Sequence, residues 1–176
     1  MNSPSRDVRA ALETLLATSY HTAFSAALVA FSYDGAAIPQ IDFANPGTNY
    51  FRADYTIEDL RDYVGLDSWP ILCLSTSALE DNPNGGWPRT LDGIVTLRLT
   101  GHFRTLVERA PADLEMIPDA FEAAVLGILM DRENYNANIH PERGGLRIER
   151  VPPQRPPDRD AWFQTVAIEV DFLITL

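Results

Sequence analysis

Three histidines, one cysteine and an acidic run near residue 81 are the parts of this chain whose residue types could do chemistry. His21, His102 and His140 each lack a second histidine or a cysteine at metal-ligand spacing, so no zinc-type ligand set is spelled out. His102 shares the polar side of an alternating stretch with Thr100 and Arg104. It reads as a solvated residue, because a lone titratable group without a partner is a weak catalytic signal. Cys73 is the sole cysteine, which excludes an intrachain disulfide and a thiolate cluster. Its setting, Pro70-Ile71-Leu72-Cys73-Leu74, predicts a small buried core residue. Asp81-Asn82-Pro83-Asn84-Gly85-Gly86, with Asp92 at the twelfth position, faintly follows a calcium loop. Pro83 and Gly85 stand where ligands are required, however, and Asp92 is shorter than the bidentate glutamate of such loops. No nucleophile elbow, phosphate loop or dinucleotide fingerprint occurs. Residue by residue, the chain offers no catalytic, cofactor-binding or metal-binding set, and it reads as a non-enzyme.

The charge balance narrows the partners. The 176 residues include 25 acidic and 14 basic ones, for a net charge of -11. All the basic residues are arginine. A surface that grips nucleic acid must be positive, so specific nucleic-acid binding is not expected. Hydrophobic residues make up 45%, enough for one domain over residues 1–176 with a sizeable core. No apolar stretch of about 18 residues exists to span a membrane. The first residues, Met1-Asn2-Ser3-Pro4-Ser5-Arg6-Asp7, lack the apolar region of a signal peptide, and the expected compartment is a reducing cytoplasm.

These residues must be positioned by elements that the patterning suggests. Ser3 and Pro4 form a favoured helix start. Val8, Ala11, Leu12, Leu15 and Ser19 fall in one sector at about 100° per residue, which predicts an amphipathic helix ending near Thr18. Residues 24–31 are uniformly apolar and are read as a strand. Turn formers at Asp34-Gly35, Pro39, Asn45-Pro46-Gly47 and Asn49 make 34–54 a long loop. Thr56 with Asp59 three residues later suggests a capped short helix burying Leu60 and Tyr63 or Val64 and stopping at Gly65. Trp69 to Ser75 reads as a strand covered on both faces, and 81–88 as a turn-rich loop.

From Val95 to Arg104 the side chains alternate. Val95, Leu97, Leu99 and Phe103 form a packed side, and Thr96, Arg98, Thr100, His102 and Arg104 a wet one. A helix starting near Pro118 places Ile117, Phe121, Ala124, Val125 and Ile128 toward the core. Residues 136–160 read as a loop interrupted by a short strand, Leu146 to Val151, before the extended Pro152-Pro153-Gln154-Arg155-Pro156-Pro157 run. The chain closes on an alternating strand with Val166, Ile168, Val170, Phe172 and Ile174 on one side. If the two alternating strands are neighbours, Arg98 and Arg104 could oppose Glu169 and Asp171. The predicted fold class is α+β: a single antiparallel or mixed sheet with helices packed on one face and long polar loops.

Candidate interaction residues follow from this layout. Leu126 and Met130 project from the polar side of their helix beside Asp119 and Glu122, as a second apolar pair would for a partner. With the wet strand face carrying Arg98 and Arg104 they make one candidate contact surface. Three polar segments, 34–54, 80–90 and 136–160, exceed what a domain of this size needs for connection. Trp87 and Trp162 are candidate anchors within or beside them, and Arg155 is a candidate contact in the last.

The order of elements carries a resemblance. An opening amphipathic helix (Val8, Leu12, Leu15) is followed by the apolar strand at 70–74. The long alternating strand at 94–106 leads into the helix around Phe121-Glu122-Ala123-Ala124-Val125, and the chain ends on Phe163-Gln164-Thr165-Val166-Ala167-Ile168-Glu169-Val170-Asp171-Phe172. This pattern resembles the tail terminator, or tail-completion, proteins of long-tailed bacteriophages, although the segment 34–66 is longer than their usual pattern. The resemblance implies a virion protein, made in the host cytoplasm. It would form a hexameric ring on the last ring of the tail tube, stop tube polymerisation and offer the attachment surface for the head or neck. It implies homo-oligomerisation, the tail tube protein and a head-completion or neck protein as partners, and neither cofactor nor catalysis. Six copies would carry -66 around a channel for DNA, and an acidic lining avoids trapping phosphates. Two alternatives stand beside it: another head–tail connector ring, and a cofactor-free small-molecule enzyme with a pocket between sheet and helices.

Overall fold

The computed structural model describes residues 4–61, 69–76, 80–81, 92–109, 112–135, 139–156 and 160–175. Ser3, the 82–91 calcium-like loop with Trp87, and Tyr63, Val64 and Gly65 lie outside the described residues. The chain folds as α+β: among the described residues there are three α-helices and one six-stranded mixed sheet. In chain order the elements are α1 (Pro4–Ala30), β1 (Tyr50–Phe51), α2 (Ile57–Arg61), β2 (Ile71–Thr76), β3 (Glu80–Asp81), β4 (Asp92–Leu106), α3 (Ala112–Leu129), β5 (Ile139–Gln154) and β6 (Ala161–Thr175). The strand order is β1-β2-β4-β6-β5, with β3 paired to the start of β4. Among the described residues only the β1–β2 pair is parallel.

The first helix is longer than its early periodicity suggests. Instead of a helix ending near Thr18 and a strand at 24–31, α1 continues to Ala30. Its buried stripe is Val8, Leu12, Leu16, Tyr20 and Phe24, a four-residue repeat that keeps one side facing the core. The apolar run after Ser19 is rich in alanine and free of Gly and Pro, so helix propagation meets no obstacle. The helix ends in a Schellman motif. Tyr33 N donates to Leu28 O at 2.9 Å and Ser32 N to Val29 O at 3.0 Å, with Ser32 at φ 60° supplying the left-handed turn.

The irregular stretch that follows is held by its own side chains. Asp42 Oδ1 accepts from the backbone N–H groups of Ala44 and Asn45. Buried Asn49 accepts from Asp42 N and donates to Gln40 O, which orders the loop without regular structure. At α2 the expected cap is present: Asp59 N donates to Thr56 Oγ1, and Thr56 N and Oγ1 donate back to Asp59 Oδ2.

β4 and β6 pair antiparallel along their whole length, from Asp92↔Thr175 to Leu106↔Ala161. The inward sets of both strands are buried as their alternation requires. They meet α1 and α3 through rings such as Phe103 and Phe121, whose centroids lie 5.3 Å apart. Gly101 lets those rings close over β4, because a Cβ there would lie within 2.9 Å of both. The third helix starts at Ala112, not near Pro118, which sits inside it. Arg109 anchors the early start by donating to both carboxylate oxygens of Asp113.

The polar side of β4 is not wet as predicted. Thr100 and His102 are 2% and 1% exposed. A second apolar cluster of Ile57, Leu60, Trp69, Ile71, Cys73, Ala161 and Phe163 covers that half of the sheet. The two long helices thus share one face, while short α2 packs on the other. Cys73 is buried as expected, and burial pushes its thiol up to about 12.

The largest departure is β5. Residues 139–154 form a sixteen-residue strand rather than a loop with a short insert. The predicted Leu146–Val151 stretch is its regular middle, and register shifts flank it at Pro141/Leu146 and Val151/Gln154. Pro141, Pro152 and Pro153 are tolerated because β5 is an edge strand, where a missing N–H need break no ladder bond. Gly145 is required: a Cβ there would lie 2.5 Å from Asp171 Cβ.

Candidate functional site

The predicted arginine–carboxylate opposition is half correct. Arg98 stands opposite Glu169 in register and donates to its Oε1 at 2.7 Å. Arg104 stands opposite Phe163 instead, and Asp171 stands opposite Thr96. Around Arg98 the face becomes a continuous lattice. Its Nε lies 3.0 Å from Asp54 Oδ2, and its Nη2 donates to Glu149 at 3.3 Å. Arg147 of β5 donates to Glu169 and Asp171, and Thr96 Oγ1 donates to Asp171 at 2.7 Å. The hydrogen bond from Arg98 holds the Glu169 carboxyl below the usual carboxylate range. Such a face is satisfied within the subunit and has little left to offer a partner.

Among the described residues, two clefts beside the sheet bear on a possible site. One, of about 290 Å³, is lined by Asp54, Glu58, Thr100, His102, Gln154 and Thr165. His102 Nδ1 is 2.9 Å from Thr165 Oγ1. Nε2 makes no hydrogen bond of good geometry, although the Tyr55 backbone acts on it. Burial lowers His102 to about 4, whereas a general base at neutral pH works best near 7. Asp54 is engaged by Arg98 and Thr100. The other cleft, of about 420 Å³, is mainly apolar and includes Ile38, Trp69, Phe103 and Leu106. Its Arg109 is bound by Asp34 and Asp113. Among the described residues no three His, Cys, Asp or Glu side chains gather as a metal site.

The predicted interaction residues are dispersed. Leu126 and Met130 do share one flank of α3, but Arg98 lies on the opposite face of the sheet. The two halves of the predicted contact surface therefore do not form one patch. Arg104 is half-buried and lines the larger cleft. Trp162 is half-buried opposite Thr105. Arg155 is exposed, 3.4 Å from Asp160. Trp87 lies outside the described residues.

The flank that holds Met130 is built jointly by α3 and β5. Asp119, Glu122, Leu126 and Met130 recur at helical spacing on one side. Arg150 of β5 binds both Asp119 and Glu122, which fixes that side of α3 against the edge strand. Leu126 is half-buried against the core as a result, while Met130 is 42% exposed. Ile148, two residues from Arg150 on the same side of β5, is 43% exposed. Sequence reading placed Ile148 and Arg150 in its short strand, Leu146–Val151, but named neither as a contact, because the strand's full length and its place at the sheet edge were not seen. The alternation of Leu146, Ile148 and Arg150 with Arg147, Glu149 and Val151 was the available signal.

No protein-family model matches this chain, and no curated protein shows significant sequence similarity to it.

Proposed function

We propose that this chain is a ring-forming virion component of the tail-terminator kind. Each subunit meets its neighbour through the flank shared by α3 and β5. The observation that carries the reading is this flank: two exposed apolar side chains, Met130 and Ile148, beside a sixteen-residue strand at the edge of the sheet.

Three physical features support it. A long edge strand carries backbone donors and acceptors ready to pair with another chain. Arg150 already partners Asp119 and Glu122 on this flank, so the carboxylates nearest to the exposed apolar pair are not left to repel a neighbour in a chain of net charge -11. Exposed apolar residues ringed by paired charges have the composition of an interface core with its polar rim. In this role the protein works by shape and contact, with the tail tube protein and a head-completion or neck protein as partners. No cofactor or catalytic step is involved.

Met130→Asp combined with Ile148→Lys tests the reading. Sedimentation velocity of the wild type is expected to show a six-subunit ring, and the double variant a folded monomer. A double variant that still forms rings refutes the surface assignment. A twelve-subunit wild-type ring moves the reading to a connector.

A further inference from the structure

A third cleft, of about 320 Å³, lies between the C-terminal half of α1 and the irregular segment that follows it. Phe24 and Leu28 of the helix and Ile38 and Pro39 of the segment supply apolar walls, and Ser25 and Gln40 bring polar groups. Tyr20 lines the cleft too, although the residue is only 2% exposed. Its ring is fixed in place: it stacks on Phe24, with centroids 5.4 Å apart and planes 10° from parallel, and meets Phe43 and Phe121 edge-on. Its hydroxyl makes no hydrogen bond among the described residues. Tyr50 Oη, by contrast, donates to Glu13, and Tyr33 Oη to Ala36 O. Tyr135 Oη is unpartnered but sealed from solvent, whereas Tyr20 Oη is not sealed, so the cleft is what it faces. We propose that this cleft binds a small, neutral, flat apolar molecule carrying one carbonyl-type acceptor, which takes a hydrogen bond from Tyr20 Oη. The inference stands apart from the ring reading.

Each part of the ligand class follows from a feature of the cleft. A buried tyrosine hydroxyl ordinarily finds a partner, and an acceptor on a bound molecule supplies the one that the fold withholds. Burial pushes the Tyr20 hydroxyl up from its ordinary range, so it keeps its proton and donates. No arginine or carboxylate is among the described residues that line the cleft, which favours a neutral molecule over an ion. The volume lies at the lower end of ligand sites and suits one or two fused rings. The stacked Tyr20–Phe24 pair offers an aromatic wall to such rings. Entry is provided for as well. Asp34 is held by Arg109 and Gln40 O by Asn49. Between these two anchors, among the described residues, the backbone of 35–39 makes only the Tyr33–Ala36 bond.

Two-dimensional amide NMR of the full chain, titrated with acetophenone and with 1-indanone, tests the proposal. The expected result is saturable shifts confined to residues 20–29 and 33–40. Tyr20→Phe keeps the ring and its stacking and removes only the hydroxyl. It should weaken binding by about 3- to 10-fold, the effect of one neutral hydrogen bond. Because no bond within the protein is lost, its urea unfolding should match the wild type, which also shows that the variant folds. Shifts that do not saturate, that map elsewhere, or that are absent up to the solubility limit of both ketones overturn the proposal and leave the hydroxyl satisfied by water alone. Binding at the cleft that Tyr20→Phe leaves unchanged overturns it too, because the hydroxyl then selects nothing.

Discussion

The two faces of the sheet are built from the same strands and hold together by different physics. The face under α1 and α3 is a dry apolar core joined by Phe121, Phe103, Tyr20 and Phe172. The opposite face is divided: one half lies under Trp69, Ile57 and Leu60, and the other is the Arg98–Glu169–Arg147–Asp171 lattice. The difference teaches that period-two alternation separates two faces without saying what covers the polar one. Here that face closes on itself, whereas Met130 and Ile148 on the flank of α3 and β5 stay exposed.

The sharpest way to break the comparison is to attack the apolar face. Phe121→Ala removes a fully buried ring and should lower unfolding free energy by about 3–5 kcal/mol in urea titrations. A loss as small as that of a surface substitution would deny that this face is the main core.

The next effect belongs to the covered half of the other face. Burial lowers His102 to about 4, so between pH 6.5 and pH 4 the unfolded chain takes up a proton that the folded chain refuses. Stability should therefore fall as pH drops through that window, by about 3 kcal/mol in all, and flatten below it. In His102→Gln this component should vanish from the pH profile of urea unfolding. An unchanged profile would mean that His102 is not held neutral by its surroundings.

The charged half should respond more weakly. Arg98→Met leaves Glu169, Glu149 and Asp54 without their shared cation, and the loss should be about 2 kcal/mol at pH 7. Because Glu169 is held below its usual range, its contribution is present above about pH 4.5 and is lost as pH falls through its folded value. The gap between wild type and variant should close under acid, and carboxyl NMR should show Glu169 titrating higher in Arg98→Met.

The smallest change distinguishes the flank from both faces. Met130→Asp should alter stability by less than about 0.5 kcal/mol, as for an ordinary surface site. Leu126→Asp, half-buried against the core, should cost about 1–3 kcal/mol. Equal effects in thermal unfolding would contradict the division of that helix side into an inner and an outer residue.

Much of this arrangement was legible in the chain. The β4 and β6 alternation, the both-sides burial of β2, the Thr56–Asp59 cap and the Ile117–Ile128 stripe all follow from local periodicity and short-range hydrogen bonding. What periodicity missed depended on neighbours distant in sequence. α1 past Ser19 is an apolar run whose helical state is supported by packing against α3. His102 looked wet because the residues that cover it, Ile57, Leu60 and Trp69, lie more than thirty residues away. β5 hid behind its prolines and glycines, which mark a loop in most contexts and an edge strand when a long partner such as β6 lies beside them. The proposed contact surface was half legible: Met130 was named from its helix, whereas Ile148 lay inside the predicted Leu146–Val151 strand without being named as exposed.

Native mass spectrometry of the wild-type chain puts ring assembly to the test. A dominant six-copy species that Met130→Asp with Ile148→Lys reduces to monomer is the expected outcome. A wild-type chain that stays monomeric at every concentration, up to the millimolar range, would contradict it.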